Sequence, residues 1–490
     1  MSDAIDFGWL VLVVSSVGLA AVLATRIAVR LRVPAPLLVL AAAAIALAVV
    51  PEIHTPSETS VERLVSVALV LILFDGGMGI GWRSFRTSAV PIGVVGVLGT
   101  FLTTAGVAAV VHYGVGVDWF PALLVATAVA PTDPAVVFSV LGQREISGRS
   151  GTILEGESGA NDPVGIALMA SLIAAGAISL DVAGRVAGEF GLQLVVGTAV
   201  GVLGGRLLLW SMRHVPLPGE GMYPLRTLAG AFALYGVAAV AHGSGFLAVF
   251  VAGIVIGDAR APYKREVEHF HSGLSSLAEI VAFVMLGLTV RIGDLVEPDV
   301  WVPGVLVGAV LAFVVRPLVV GPLLARSGLN GREKRFVVFA GLKGAVPILL
   351  GNFLLVSGVA DAQRLYGIVV VVVLFSVLVQ ASLVPLVARW LQIPMREVEP
   401  EPWTLGVRLR DEPNGVLRLT VRPGALADGR TIAELDAMPE GSWVSFVVRG
   451  GRLVPVGGDT ALQSGDEALI LGHPDDAPVL RQVFEDPAGD

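Results

Sequence analysis

APTDPAV at residues 130–136 lies in the middle of one apolar run (118–142), and GESGANDP at 156–163 lies inside the next (152–180). In the first, two prolines flank the pair Thr132–Asp133. Proline removes a backbone donor and leaves carbonyls unbonded, so a helix through these residues must break. Inside hydrocarbon, freed carbonyls are tolerated only where they line a cavity or meet partner groups. Carbonyls, a hydroxyl and a carboxylate together suit a dehydrated alkali cation, whose hydration shell oxygen ligands can replace. In the second run, Glu157 and Asn161 are four residues apart and share a helix face, as do Ser158 and Asp162. One face therefore carries a hydroxyl and a carboxylate a turn apart. Asp162, beside a broken span, is placed to bind a cation or a proton, because a carboxylate withdrawn from water competes for both.

The surrounding chain reads as membrane protein. It has 490 residues, 54% hydrophobic and 15% charged, with a mean hydropathy of +0.80. A soluble domain carries about 25% charged residues. Apolar runs of the kind that cross about 30 Å of hydrocarbon recur near 9–26, 35–51, 61–81, 89–112, 118–142, 152–180, 188–212, 223–241, 245–258, 274–291, 300–325, 336–357 and 365–390, the ninth being short for a spanning helix, so that the eighth and ninth can be divided differently. The connecting loops alternate: odd-numbered loops hold 17 basic residues and even-numbered loops hold four, Arg63, Arg185, Arg291 and Arg364. By the positive-inside rule this split places the N-terminus outside and, after thirteen spans, the C-terminus in the cytoplasm. Asp3 and Asp6 precede the first run with no base, which does not read as a cleaved signal peptide. The chain has no cysteine, which excludes disulfides, thiolate metal sites and cysteine nucleophiles.

A faint internal repeat follows the same count. LFDGGMGIGWR (73–83) is echoed by AFVMLGLTVRI (282–292), and APTDPAV by GLKGAVP (341–347), both about 210 residues on. That offset equals seven spans, so two six-span halves would run in opposite directions, as in transporters with interrupted helices at matching places. Ionisable residues at bilayer depth each need a reason. Besides those named, they are Asp75, Glu155, Glu279, Arg316 and Lys343. Glu155, near the start of its span, reads as structural. A buried acid such as Glu157 requires a partner, and Arg316 is assigned to it. Lys343 falls in the second half where Asp133 falls in the first, placed to neutralise a carbonyl-rich helix break.

The apolar pattern stops after residue 392. From Arg396 to Asp490 there are 17 acids and 9 bases, so the whole formal charge of −8 falls in this segment and nucleic acid is excluded as a partner. The expected division is a transmembrane domain over 1–395, a linker over 396–403 and a small cytoplasmic α+β domain over 404–490. Strands are expected in 416–423, 442–456 and 467–473, and short helices over 431–438 and 477–484. A G-x-G-x-x-G is absent, and with it a complete dinucleotide fold.

PTDP, GESGANDP, the Arg316–Pro317 pair and GLKGAVP resemble the NhaP-type branch of the monovalent cation:proton antiporters, over roughly 9–392. The resemblance implies an all-α inverted-repeat fold of thirteen helices with broken helices 5 and 12, a homodimer in the inner membrane, and elevator-type alternating access. It implies that Asp162 binds cation and proton in turn, that Thr132, Asp133 and Ser158 complete the ion site, and that Glu157 pairs with Arg316. Asn161 stands where electrogenic relatives carry a first aspartate, which implies electroneutral exchange. Lys343 departs from the arginine of many members, which keeps the charge and loses bidentate pairing. The tail, through RGGRLVPVGGDTALQSGDEALILG (449–472), resembles the RCK-C or TrkA-C lobe of potassium channels and transporters. This leans the transported ion towards K⁺ over Na⁺ and implies a dimeric lobe sensing a small ligand, a nucleotide among the candidates. No cofactor is expected, and Asp75 and Glu279 are kept as further intramembrane polar positions. A channel gated by the tail lacks a T-V-G-Y-G filter. An intramembrane enzyme lacks H-E-x-x-H, and alanine replaces the last glycine of G-x-S-x-G.

Overall fold

The computed structural model describes residues 35–49, 55–141, 144–146, 148–176, 180–397 and 416–486 except 436, 440 and 451, with a few positions between 8 and 23. Half of the expected first span, 9–26, and most of the expected linker lie outside the described residues. Two compact units divide between Trp403 and Thr404.

The first unit is helical. In chain order its elements are α1 (Ala35–Val49), α2 (Glu58–Gly93), α3 (Thr100–Val110), α4 (Trp119–Val129), α5 (Pro134–Leu141), α6 (Arg149–Ala175), α7 (Leu180–His214), α8 (Met222–Val240), α9 (Gly245–Gly257), α10 (Lys264–Gly287), α11 (Ile292–Leu295), α12 (Pro298–Val310), α13 (Arg316–Leu323), α14 (Gly331–Phe339), α15 (Ala345–Val356), α16 (Ala362–Phe375) and α17 (Ala381–Trp390). Several join without a loop. A π-turn over Val94–Gly99 carries α2 into α3, another over Leu311–Val315 carries α12 into α13, and a third over Ser376–Gln380 carries α16 into α17.

The runs expected at 61–81 and 89–112 are one helical path, interrupted where Gly81 adopts φ 68°, ψ 162°. Only glycine takes that backbone without strain, and the Asp258 carboxylate accepts from the Arg83 amide just beyond it. By length and composition, Glu58–Val115, Val186–His214, Lys264–Gly287, Pro298–Arg326 and Ala362–Trp390 can each cross a membrane, as can α4 with α5, bent by 42°, taken as one. At 1.5 Å per residue, the 58 residues of the first path suffice for two crossings. α1, α9 and α15, at 15, 13 and 12 residues, fall short of the roughly 20 that a lone span requires.

Glycines set the close contacts. A Cβ on Gly253 of α9 would lie 2.4 Å from the Phe74 carbonyl oxygen, and one on Gly77 of α2 would lie 2.3 Å from that of Phe250. Such small-residue contacts are how helices approach in lipid, where burial alone supplies no attraction between them. On the loop side, β1 (Arg144–Ile146) pairs antiparallel with β2 (Met395–Glu397), so residues 396 and 397 belong to a strand rather than to the expected linker.

In the second unit β3 (Val416–Thr420), β4 (Trp443–Arg449), β5 (Arg452–Val454) and β6 (Glu467–Leu471) form an antiparallel sheet in the order β3-β6-β4-β5. Helix α18 (Ala477–Phe484) buries Leu480, Val483 and Phe484 with Leu419, Val447 and Ile470. The helix expected over 431–438 is a three-residue 3₁₀ turn, Ile432–Glu434. Thr431 and Glu434 cap it reciprocally, and Leu435 then leaves helical backbone at φ −85°, ψ 64°, which ends the turn.

Candidate functional site

The two breaks face each other. The chain leaves α4 at Ala130 and resumes at Pro134; it leaves α14 at Ala340 and resumes at Ala345. Each break strands carbonyls at a helix C-terminus and donors at a helix N-terminus, all withdrawn from water, and each group must find a partner. The partners come from the opposite break. The Lys343 ammonium donates to the Ala130 and Pro131 carbonyls, both at 2.9 Å. The Asp133 amide donates to the Leu342 carbonyl at 2.8 Å. Asp133 Oδ1 accepts from the Ala135 amide, starting α5. Its Oδ2 lies against Gly344, where a Cβ would come within 1.8 Å of it.

α6 crosses beside this pair of breaks. Asn161 Nδ2 donates to Thr132 Oγ1 at 2.8 Å, and Asn161 Oδ1 accepts from the Thr132 amide. One turn from Asn161, the buried Glu157 receives two bonds from Arg316, 2.7 Å from Nη1 and 3.0 Å from Nη2. Arg316 also donates to the Val338 and Val337 carbonyls, and a Cβ on Gly341 would meet its Nε at 1.9 Å. All of the guanidinium's bonds thus go to Glu157 and to the end of α14. A bidentate pair with its remaining donors satisfied is the form in which a buried ion pair is tolerated.

Asp162 differs from its neighbours. Ser158 hydrogen-bonds its carboxyl, with Asp133 and Lys343 the nearby charges. Its Oδ1 is buried and meets no protein donor. A carboxylate oxygen without a partner in a low-dielectric interior is costly and calls for an explanation. Every other charged group at the crossing is engaged: Glu157 with Arg316, Asp133 with the α5 amide, and Lys343 with two carbonyls.

The structure thus brings Thr132, Asp133, Glu157, Ser158, Asn161, Asp162, Arg316 and Lys343 to one crossing. Glu279, half-buried on α10, is acted on by the Asp133 charge. Asp75 is not part of the crossing's bonding; it hydrogen-bonds Ser275 and feels Glu268, both on α10. Glu155 lies half-buried on α6. Two residues at the crossing were not foreseen. Ser376 Oγ accepts from the Lys343 amide at 3.0 Å, and Gln380 Nε2 donates to the Phe339 carbonyl at 2.6 Å. Their signal in the sequence is a pair of polar residues four apart in an otherwise apolar run. No group of His, Cys, Asp or Glu able to hold a metal ion is present among the described residues.

Comparison with known proteins bears on this geometry. The model of the family described as sodium/hydrogen exchanger, transmembrane, matches residues 17–390, and that of the TrkA-C domain matches 416–485. The K⁺/H⁺ antiporter NhaP2 of Shewanella oneidensis is 31% identical over 427 residues, covering 85% of this chain and 73% of its own. The K⁺/H⁺ antiporter NhaP of Alkalimonas amylolytica is 31% identical over 423 residues, covering 86% and 73%. The solved sodium proton antiporter MjNhaP1 of Methanocaldococcus jannaschii at pH 8 superposes with a TM-score of 0.64 at 23% identity, over 76% of this chain and 99% of its own. That last likeness is one of fold.

Proposed function

Because the chain belongs to the sodium/hydrogen exchanger family of transmembrane transporters, a cation/proton antiporter and not an enzyme, we propose that it exchanges K⁺ for H⁺ electroneutrally at Asp162. The observation that carries this is the buried carboxylate oxygen of Asp162 without a protein donor, set among groups that are engaged. The charges support a one-for-one exchange. Glu157 and Arg316 cancel. Asp133, Asp162 and the Lys343 ammonium together leave a net −1, which one monovalent cation or one proton neutralises. Asn161 adds no charge, where an aspartate would call for a second positive ion. In the cation-bound state Asp162, Thr132 and Ser158 supply oxygen ligands, with Asp133 beside them; in the other, Asp162 holds the proton. Glu157, Arg316, Asn161 and Lys343 hold the frame.

The wider reading is an inner-membrane homodimer of thirteen spans in two inverted halves, working by an elevator motion, with its N-terminus outside. In favour of the repeat, the breaks at 130–133 and 340–344 are matched by π-turns at Val94–Gly99 and Leu311–Val315 in the corresponding earlier spans. The domain over 404–490 is read as a cytoplasmic regulatory lobe that senses a small ligand. K⁺ is favoured because the relatives that are about 31% identical are named K⁺/H⁺ antiporters. Na⁺ is the second reading, since a relative 26% identical over 355 residues is named a low-affinity Na⁺/H⁺ antiporter. Exchange in proteoliposomes under imposed membrane potentials of either sign tests stoichiometry and ion together. The expectation is a K⁺-driven rate that does not change with potential; a rate that follows the potential would refute electroneutrality, and a response to Na⁺ alone would replace the ion.

A further inference from the structure

The break between α14 and α15 withdraws carbonyls and amides from water at the level of the ion site, and several of their bonds can be followed one by one. Phe336 O accepts from the Ala340 amide, Val337 O and Val338 O accept from Arg316, and Leu342 O accepts from Asp133. Two further groups are Phe339 O on one side of the break and the Lys343 amide on the other. Both are met by α16–α17. Gln380 Nε2 donates to Phe339 O at 2.6 Å, the Lys343 amide donates to Ser376 Oγ at 3.0 Å, and Ser376 Oγ donates to Gln380 Oε1 at 3.1 Å. Ser376 and Gln380 are 3% and 2% exposed, so water does not compete for these bonds.

Residues 376 and 380 are the two ends of the π-turn Ser376–Gln380. A π-turn inserts a residue into the i→i−4 ladder and re-aims the side chains around it, and such turns recur at functional sites. Here the two polar side chains of the turn bond each other and, together, both sides of the break. The far end of this chain of bonds is Lys343, whose amide is held by Ser376 while its ammonium reaches the Ala130 and Pro131 carbonyls of the other break.

We propose that Ser376 and Gln380 form a clamp that positions Lys343, and that they are positioning residues for cation and proton exchange at Asp162. Neither touches the ion. The clamp fixes the backbone from which Lys343 extends, and so fixes where its charge sits relative to Asp162 and Asp133. A lysine, which makes single bonds from a flexible stem, depends on such backbone placement more than a forked guanidinium does. The inference rests on the antiporter reading and concerns how that site is tuned.

The test compares wild type, Gln380→Leu, Ser376→Ala and Ser376→Thr in proteoliposomes, reading the apparent KM for the cation, the maximal rate and the pH profile of exchange. Gln380→Leu and Ser376→Ala should each change KM at least fivefold and move the pH profile, while Ser376→Thr, which keeps the hydroxyl, should behave as wild type. Made together with Lys343→Arg, Gln380→Leu should have less effect than it has alone, since coupled positions are not additive. Variants that lose thermal stability while keeping KM and pH profile would show a purely structural role and overturn the proposal; so would full additivity with Lys343→Arg. Ser376→Ala, which removes less than Gln380→Leu, keeps the test open if the latter fails to fold. Absence of exchange in wild type would instead refute the antiporter reading.

Discussion

Glu157 and Arg316 are 2% and 3% exposed and bonded to each other at 2.7 and 3.0 Å. Taking two charges out of water costs several kcal/mol each, and their attraction offsets this only while both partners are present. Glu157→Gln leaves the guanidinium buried without its counter-charge, so it should lower stability by about 3–5 kcal/mol. Thermal unfolding of the purified variant in detergent checks this, and a melting temperature equal to that of wild type would contradict it. The choice of Arg316 as the partner follows from the sequence, since an acid in an apolar run needs a base and few bases fall at bilayer depth. Which groups take the remaining donors does not follow. The bonds from Arg316 to Val337 O and Val338 O, and from Gln380 to Phe339 O, exist only because a helix stops at Ala340, and sequence spacing does not locate carbonyls.

The breaks are the elements on which the site depends, and Gly344 is the narrowest point between them. An alanine Cβ there would fall 1.8 Å from Asp133 Oδ2, so Gly344→Ala must push the carboxylate or the backbone aside. The expected result is at least a tenfold loss of exchange rate in a protein that still folds, measured beside its thermal stability. Unaltered exchange would mean that the two breaks can separate without cost. The first break was legible because two prolines in four residues cannot continue a helix. The second was legible only through its likeness in place to the first, because GLKGAVP carries a single proline, which lies inside α15. Helix lengths were less legible. The shortness of the ninth run is visible in the sequence and returns in the 13 residues of α9, but hydropathy cannot see that the runs near 61–81 and 89–112 are joined through Gly81, because that depends on packing against neighbours. In the tail, the expected helix over 431–438 is one 3₁₀ turn, because Leu435 turns out of helical backbone right after Glu434.

At the scale of the molecule, each of the two units has its own hydrophobic core. All the groups of the crossing lie in the first, so the chain ending at Trp403 should still exchange cations for protons, with altered dependence on pH or on small ligands. A folded truncation without transport would show the tail to be part of the transport machinery. The central claim is that one carboxylate, Asp162, binds cation and proton alternately. Its most direct test is the decay of a pre-formed pH gradient in proteoliposomes on addition of K⁺ or Na⁺, with wild type and Asp162→Asn measured side by side. The account predicts a K⁺-dependent decay in wild type that Asp162→Asn lacks although it remains folded. Exchange by Asp162→Asn at the wild-type rate would contradict it.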